Sequence, residues 1–300
     1  MGVAVTSTAH LAFTLFQRRG DQTYPMALAA AYSSIRHRTS VALHVHVLVD
    51  GSVEDNVRQK LERTVQDGDG ISFHAVTAKP DVEALAREFD GLFSPAIVWR
   101  IWIAELLHPL DRCLLLDCDL LFHLDVQRIW SLDLGQDCLS APLRGIPHSP
   151  ELHAWLGVPV ERYFRMTCCL MDLQRLRAES VFCSGREAFL NEASHRAHQG
   201  LKQADLLEQS VFNRFFAASC RPLPVPVIPV DRLSGHLREE EWRAVLAARQ
   251  DCILDLKGWQ NRSPHAMEFW AALLDTAWSD EAEDVFNQRF RRPEPPESPR

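Results

Sequence analysis

Short apolar runs alternate with segments of helical spacing along the first part of the chain. Residues 9–16 (AHLAFTLF) and 41–50 (VALHVHVLVD) have the length and composition of buried strands. Between them, residues 24–37 (YPMALAAAYSSIRH) have the apolar spacing of a helix. This order predicts one strand-helix-strand unit with its two strands parallel.

The alternation continues to about residue 145. The pattern predicts a helix in 53–65, a strand in 71–78, a helix in 81–89 and a further helix in 95–107. Such an order predicts an α/β fold with a Rossmann-like nucleotide-binding sheet and helices on both faces. The glycine fingerprint of dinucleotide enzymes is absent, because only Gly20 follows the first strand, so a nicotinamide or flavin enzyme is disfavoured.

The second half of the chain is less regular. The pattern predicts a strand in 163–173 and helices in 183–199 and 205–217. Four prolines in 220–230 (CRPLPVPVIPV) restrict that segment to an edge strand or an extended connection. The chain is predicted to be one domain over 1–290, with a nucleotide-binding half at about 9–145, an acceptor-side half at about 146–278, and a disordered tail at 291–300.

Charge and cysteine usage narrow the class of protein. The formal net charge of -8 argues against a nucleic-acid binder, which needs a dense basic surface. The eight cysteines form no CxxC pair and stand mostly in apolar runs, which predicts buried, reduced thiols in a cytoplasmic protein. No stretch has the roughly 18 apolar residues of a membrane span.

Two aspartates interrupt the most apolar strand pattern of the chain. Asp117 and Asp119 stand in CLLLDCDLLF, and alternation along a strand would put both side chains on one side of the sheet. Carboxylates in such surroundings need a compensating charge, and Mg²⁺ or Mn²⁺ prefers oxygen ligands. The pair predicts a metal and diphosphate site at the carboxyl end of the strand. Two ordinary solvent-facing carboxylates are the alternative.

The segment from Arg100 to Leu134, RIWIAELLHPLDRCLLLDCDLLFHLDVQRIWSLDL, resembles the central block of glycosyltransferase family 8. This family includes bacterial lipopolysaccharide glucosyl- and galactosyltransferases and glycogenin. A weaker likeness extends over about 9–278. The resemblance implies a GT-A fold and transfer of a hexose from a UDP-sugar donor to a glycan or other hydroxyl acceptor. It also implies retention of anomeric configuration and dependence on Mn²⁺ or Mg²⁺.

The resemblance also implies roles for individual residues. Asp117 and Asp119 would bind the metal and, through it, the donor diphosphate. Arg100 would reach the donor sugar or phosphate, and Gln209 in EQSVFN would lie near the anomeric carbon. Tyr24 in GDQTYP is the candidate for stacking on uracil, and packing at a helix start is the alternative for its ring.

The region LDLKGW departs from the family pattern. Asp255 stands where the family has a metal-binding histidine, and a carboxylate is also an oxygen ligand for Mn²⁺. The resemblance therefore implies Asp255 as third metal ligand. Lys257 and Gly258 are the implied contacts of the donor diphosphate.

The sugar pocket departs as well. Arg165, Met166 and Thr167 replace a family Asn-Ser/Ala-Gly, Arg144 stands where many members have an aspartate, and Glu208 replaces an aspartate. Arginine is a cationic donor and cannot accept a hydrogen bond from a sugar hydroxyl. Either the donor sugar differs, for example by carrying an acidic group, or the chain is an inactive relative that binds nucleotide or sugar.

Three further patterns suggest other chemistry. His44 and His46 share one face of a strand, where a partly exposed sheet face is favoured over a zinc site. A metal-dependent phosphohydrolase would use groups after the aspartate pair, where only His123 and Asp125 are available. The basic, aromatic residues of 286–292 are a candidate for weak peripheral contact with the inner face of a membrane.

Overall fold

Two β-sheets organise the chain. The structure is a computed structural model and describes residues 8–78, 94–143, 150–198, 208–229, 251–256 and 266–290. The strands are β1 (Thr8–Leu15), β2 (Ala42–Val49), β3 (Gly70–Ala75), β4 (Arg112–Leu116), β5 (Leu120–Phe122), β6 (Leu139–Ala141), β7 (Cys168–Asp172), β8 (Cys220–Pro222), β9 (Val227–Pro229) and β10 (Ile253–Asp255).

The larger sheet has seven strands in the order β3-β2-β1-β4-β7-β6-β8. Its first four strands pair in parallel, as the sequence predicts. Strand β7 is antiparallel to β4 and β6, so the second half of the sheet is mixed. A smaller sheet has the order β5-β10-β9. The proline-rich segment forms β8 and β9, each at the edge of its sheet, which confirms the prediction for that segment.

Helices cover both faces of the larger sheet. Those that the structure describes are α1 (Thr23–Arg36), α2 (Asp55–Thr64), α3 (Pro95–Trp99), α4 (Ile103–Leu106), α5 (Gln127–Trp130), α6 (Pro150–Leu156), α7 (Leu173–Ala178), α8 (Ser180–His198), α9 (Glu208–Phe216), α10 (Ala266–Leu273) and α11 (Ser279–Phe290). The segment 95–107 is helical, as predicted, but it is divided into two α-helices. A 3-10 turn, Arg100–Trp102, separates α3 from α4, and Trp102 has φ -107° and ψ 17°, outside the α region.

Alternating residues of the parallel strands build two hydrophobic cores. On β1, Leu11 and Phe13 point into one core and Ala12 into the other. The first core contains α1, whose run of small residues is buried and lets the helix approach the sheet closely. The second contains α3, α8 and α9. Burial of both sheet faces explains why β1, β2 and β4 are almost continuously apolar.

The aspartate pair interrupts the strand that the sequence predicts. Strand β4 ends at Leu116, Asp117 to Asp119 form a turn, and β5 begins at Leu120 in the smaller sheet. The two aspartates therefore lie at the carboxyl end of β4, as predicted, but strand alternation does not set their directions. Leaving the larger sheet at this point places both carboxylates where open α/β sheets bind ligands.

The membrane and cysteine predictions concern the surface and the core. Within the part of the chain that the structure describes, no helix combines the length and apolar character needed to cross a bilayer. All eight cysteines lie in that part; seven are buried, and none forms a disulfide. Burial raises the pKa of the Cys138 thiol to about 11, which keeps it protonated at neutral pH.

Histidines from three strands form a hydrogen-bonded row on the sheet. His46 lies between His10 and His74, at 2.9 Å from His10 Nδ1 to His46 Nε2 and 3.0 Å from His46 Nδ1 to His74 Nε2. His44 stacks on His46 with ring centroids 4.5 Å apart, which confirms that the two share a face. Burial, followed by the neighbouring imidazoles, lowers the pKa of His46 to about 3.

His46→Gln is expected to make the free energy of unfolding depend less on pH below neutrality. The folded state holds His46 neutral, whereas the unfolded chain binds a proton near the ordinary value of 6.5. The contribution of neutral His46 to the stability of the folded state is therefore present above pH 6.5 and is lost as the pH falls. We expect the wild-type advantage over His46→Gln to shrink by about 1–2 kcal/mol between pH 7 and 5. Urea unfolding at both pH values measures it, and parallel profiles would contradict the prediction.

Candidate functional site

The candidate site surrounds the turn after β4. The Asp117 N–H donates to the Thr167 carbonyl at 2.8 Å, which holds the loop before β7 beside β4. The Leu256 N–H donates to the Asp119 carbonyl at 2.9 Å, which holds the end of β10 beside the same turn. Asp255 is the last residue of β10. The structure therefore brings the backbone of all three predicted metal ligands together around one turn.

Arg100 links the turn to α9. Its side chain is buried, with Nη1 2.6 Å from Asp117 Oδ1 and 3.7 Å from Glu208 Oε1. The Arg100 Nε–H also donates to Thr14 Oγ1, near the carboxyl end of β1, at 3.1 Å. Burial opposes the guanidinium charge, but Asp117 and Glu208 outweigh it and raise the pKa of Arg100. The sequence predicts a metal ion as the partner of Asp117. The structure adds the Arg100 guanidinium as a fixed cation beside the same carboxylate.

Glu208 is a buried carboxyl with an unusual titration. Burial is the main cause that raises its pKa, and repulsion from Asp117 adds to it, whereas Arg100 opposes both. The resulting pKa is about 7 instead of the ordinary 4.5. A raised pKa means that the charge of Glu208, and with it the competition with Asp117 for Arg100, depends on pH.

Glu208→Gln is expected to change the pH dependence of stability. The folded state keeps the Glu208 proton that the unfolded chain releases near pH 4.5, so this contribution is full below pH 4.5 and lost as the pH rises through about 7. The wild-type stability relative to Glu208→Gln should fall by on the order of 3 kcal/mol over this window. Urea unfolding of both proteins at pH 4.5, 6 and 8 tests this, and a constant difference would contradict it.

Gln209 is oriented by the loop before β7. Its Nε2 donates to the Tyr163 hydroxyl at 3.0 Å, and its Oε1 accepts the Met166 N–H at 3.4 Å. Gln209 follows Glu208 on α9, so the structure brings it to the same region as Arg100 and Asp117. Its role near the anomeric carbon of a donor sugar stays a prediction.

Asn213 is a site-supporting residue that the sequence analysis did not identify. Its side chain accepts the Phe164 N–H at 2.9 Å and donates to the carbonyls of Phe164 at 2.9 Å and Gln209 at 2.8 Å. It is fully buried. Gln209 and Asn213 in EQSVFN are one helical turn apart, which places both on one helix face. This spacing is the sequence feature from which Asn213 could have been identified.

Tyr24 lies at the start of α1 and faces the acidic turn. Its side chain is 52% exposed, which is unusual for a large aromatic residue. Partial burial raises the pKa of its hydroxyl, and the charges of Asp119 and Asp117 raise it further. An exposed ring beside the aspartate pair is compatible with both stacking on a base and packing at a helix start, so its nucleoside role stays a prediction.

Asp255 has an arginine partner. Its carboxylate is completely buried, and its Oδ2 accepts a hydrogen bond from Arg165 Nη2. The two residues are separated by 90 positions in sequence. Both are departures from the family pattern, and the structure shows that they contact each other.

The carboxylates around this turn bear on whether the site can hold a divalent ion. Within the described ranges, no three His, Cys, Asp or Glu side chains are grouped closely enough to hold a metal ion. Mg²⁺ is often bound by one or two carboxylates together with substrate phosphate oxygens. Asp117 and Asp119 can serve as such a two-carboxylate site. Asp255 as third ligand stays a prediction, because Arg165 holds one of its oxygens.

His123 and Asp125, the residues that a phosphohydrolase would use, make other contacts. His123 Nε2 is 3.0 Å from Glu268 Oε2 on α10, and Arg38 lies 3.4 Å from His123 Nδ1. Asp125 accepts the Gln127 N–H at the start of α5. Both side chains have structural contacts away from the turn, so neither adds a ligand to the aspartate pair.

Several predicted residues lie outside the described part of the chain. These are the diphosphate candidates Lys257 and Gly258, the pocket residue Arg144 and the tail 291–300. The side chains of 286–290 belong to the same category. Their predicted roles are neither supported nor opposed by the geometry.

Comparison with known proteins gives a family match. Residues 17–226 match the model of the family described as Glycosyl transferase family 8. The glucoside xylosyltransferases 1 of Rattus norvegicus and Mus musculus are 29% and 28% identical over 128 and 124 residues. These matches cover 42% and 41% of this chain, but only 28% and 29% of the length of the relatives.

Solved structures give the fold. The bifunctional glycosyltransferase WbbM superimposes with a TM-score of 0.65 at 16% identity and covers 95% of this chain and 52% of WbbM. An active-site mutant of LgtC gives a TM-score of 0.63 at 17% identity, over 95% of this chain and 98% of LgtC. A crystal structure of the galactosyltransferase LgtC with donor and acceptor sugar analogues gives 0.61. The fold is therefore the GT-A fold, which confirms the prediction.

Proposed function

The chain belongs to glycosyltransferase family 8, and from this premise we propose that it transfers a hexose from a UDP-sugar to a hydroxyl acceptor with retention of anomeric configuration. The main support is the placement of Asp117 and Asp119 at the carboxyl end of β4, beside Arg100 and α9. This is the edge at which an α/β sheet binds a nucleotide.

Mn²⁺ or Mg²⁺ is the proposed cofactor, and Asp117 and Asp119 would hold it. When bound, the ion would neutralise negative charge on the departing diphosphate. The remaining roles belong to the chain itself. We assign Tyr24 to the uracil ring, Lys257 and Gly258 to the diphosphate, and Arg100 to the donor sugar or phosphate.

The transfer itself is proposed to need no protein base. The acceptor hydroxyl would attack the anomeric carbon on the face from which UDP departs. The bond between that carbon and the diphosphate oxygen breaks, and the acceptor proton passes to a diphosphate oxygen. Arg100 can stabilise the charge that develops there, because its guanidinium is already oriented by Asp117, Glu208 and Thr14. Gln209, fixed by Tyr163, is assigned to positioning near the anomeric carbon and not to nucleophilic attack.

The resemblance to bacterial transferases favours a surface glycan such as lipopolysaccharide as acceptor. A cytoplasmic location fits such an acceptor, with segment 286–292 as a candidate contact to an anionic membrane face. The single-domain boundaries, 1–290, are likewise proposed.

The proposal is tested by donor hydrolysis without acceptor. UDP release would be measured with Mn²⁺ for UDP-glucose, UDP-galactose, UDP-glucuronate and, because the curated relatives are named xylosyltransferases, UDP-xylose. We expect release from at least one donor that is lost in Asp119→Ala and kept in Asp111→Asn, which changes an exposed carboxylate away from the turn. Turnover that is equal in Asp119→Ala would contradict the proposal. Binding of UDP without turnover of any donor would instead favour the inactive relative.

A further inference from the structure

The buried pair of Arg165 and Asp255 lies at the candidate donor site. Arg165 stands two residues before Thr167, whose carbonyl accepts the Asp117 N–H. Asp255 stands directly before Leu256, whose N–H donates to the Asp119 carbonyl. Backbone hydrogen bonds of Thr167 and Leu256 thus tie the two segments that carry the pair to the two ends of the aspartate turn.

The two arginines of the site are held differently. Arg100 is shared by Asp117, Glu208 and Thr14, and its side chain is buried. Arg165 binds Asp255 through Nη2, and its side chain is 13% exposed while that of Asp255 is not exposed at all. A guanidinium carries five N–H donors in a planar fork. Arg165 therefore has donors beyond the one that Asp255 uses, and it has solvent access through which a ligand can approach.

Carboxyl groups outnumber guanidinium groups at the candidate site. Four carboxyl groups, those of Asp117, Asp119, Glu208 and Asp255, face two arginines. A diphosphate brings further negative charge into this surplus. Because Asp255 is buried and fixes the guanidinium, Arg165 is a permanent cation whose position does not depend on a bound ion. Bidentate recognition of phosphate oxygens is the typical use of such a guanidinium.

We infer that Arg165, positioned by Asp255, binds the donor diphosphate directly, so that part of the donor affinity of this chain is independent of a divalent metal. This inference rests on the proposed function, since it concerns the same donor. It assigns Asp255 to Arg165 as its positioning residue instead of to the metal. The contact between two departures from the family pattern is thereby explained, because the carboxylate at 255 serves the arginine at 165.

The experiment is calorimetric titration with UDP, in Mn²⁺ and in EDTA. The informative protein is the double variant Arg165→Met with Asp255→Asn, which removes both buried charges, so that neither is left facing an uncharged partner and the net charge is unchanged. The matched control is Arg221→Met with Asp137→Asn, which removes a partly exposed pair at the edge strand β8. Thermal unfolding of each variant checks that it is folded.

We expect wild type to bind UDP measurably in EDTA and more tightly with Mn²⁺. The Arg165 and Asp255 double variant should lose at least about tenfold in affinity in EDTA, since it lacks a charge-assisted contact, while the control double variant binds like wild type. Asp119→Ala should lose the gain from Mn²⁺.

Two outcomes overturn the inference without touching the proposed function. One is equal affinity of wild type and the Arg165 and Asp255 double variant in EDTA. The other is wild-type binding that requires Mn²⁺ completely. Absence of UDP binding under both conditions would instead contradict the proposed function itself.

A second measurement separates the two roles of Asp255. Mn²⁺ binding without nucleotide is followed by electron paramagnetic resonance in wild type and Asp255→Asn. If Asp255 positions Arg165, the Mn²⁺ affinity should stay within about twofold of wild type. A drop of about tenfold or more, the size expected when a group that holds the metal directly or through a ligand is lost, would tie Asp255 to the metal and overturn its assignment.

Discussion

Asp117→Asn is expected to lower UDP-sugar turnover by about 100- to 1000-fold, the size of effect seen when one preorganised electrostatic group is removed from an active site. The amide keeps the size of the side chain but removes its charge. It weakens a proposed metal contact, and it also leaves Arg100, at 2.6 Å, without its nearest counter-charge. Hydrolysis of the best donor at saturating concentration measures the loss.

The result must be separated from an effect on folding. Arg100 is buried and loses its nearest counter-charge in Asp117→Asn, although Glu208 lies within its reach. The free energy of unfolding of this variant should therefore fall by about 1–3 kcal/mol, which leaves it folded. Asp125→Asn is the matched control, because it replaces an aspartate after β5 whose carboxylate accepts the Gln127 N–H. Turnover of Asp117→Asn within about threefold of wild type would contradict the role assigned to this carboxylate.

Asn213→Ala is expected to lower the free energy of unfolding by about 3 kcal/mol, because it strands buried hydrogen-bonding groups of Phe164 and Gln209. Each buried polar group that loses its partner costs about 1–3 kcal/mol. The variant should also impair the site, since the loop that carries Arg165 and orients Gln209 is anchored by this amide.

Chemical denaturation measures the loss in free energy of unfolding, with the dependence of that free energy on denaturant concentration equal in wild type and variant. Asn191→Ala on α8 is the matched control, because that asparagine is exposed, and it should change stability by less than about 0.5 kcal/mol. A loss below about 1 kcal/mol in Asn213→Ala would show that the three hydrogen bonds do not hold the loop.

Local patterns were sufficient to predict the frame of the fold. The apolar runs that became β1, β2 and β4 are buried on both faces, so their composition alone indicates parallel strands. The proline-rich segment forms edge strands, because prolines lack the N–H that a central strand of a sheet must donate. The division of the helix in 95–107 could not be predicted, because its apolar spacing continues through Arg100 without interruption.

The pairings inside the site could not be predicted in the same way. Arg165 and Asp255 each appear in the sequence as an isolated departure from a pattern, and only the tertiary fold brings them into contact. The same holds for the shared position of Arg100 between Asp117 and Glu208. Spacing within one element predicts neighbours three or four residues apart, whereas these contacts join segments that are distant in sequence. The histidine row crosses three strands and depends on their register.

In the proposed function, the aspartate turn after β4 holds a metal ion that contacts a UDP diphosphate. The most direct measurement is an anomalous difference map, at the manganese absorption edge, of crystals grown with UDP and Mn²⁺. The claim predicts one strong peak in contact with carboxylate oxygens of Asp117 and Asp119 and with the diphosphate. UDP bound at the turn without a manganese peak, or a peak away from both aspartates, would contradict it.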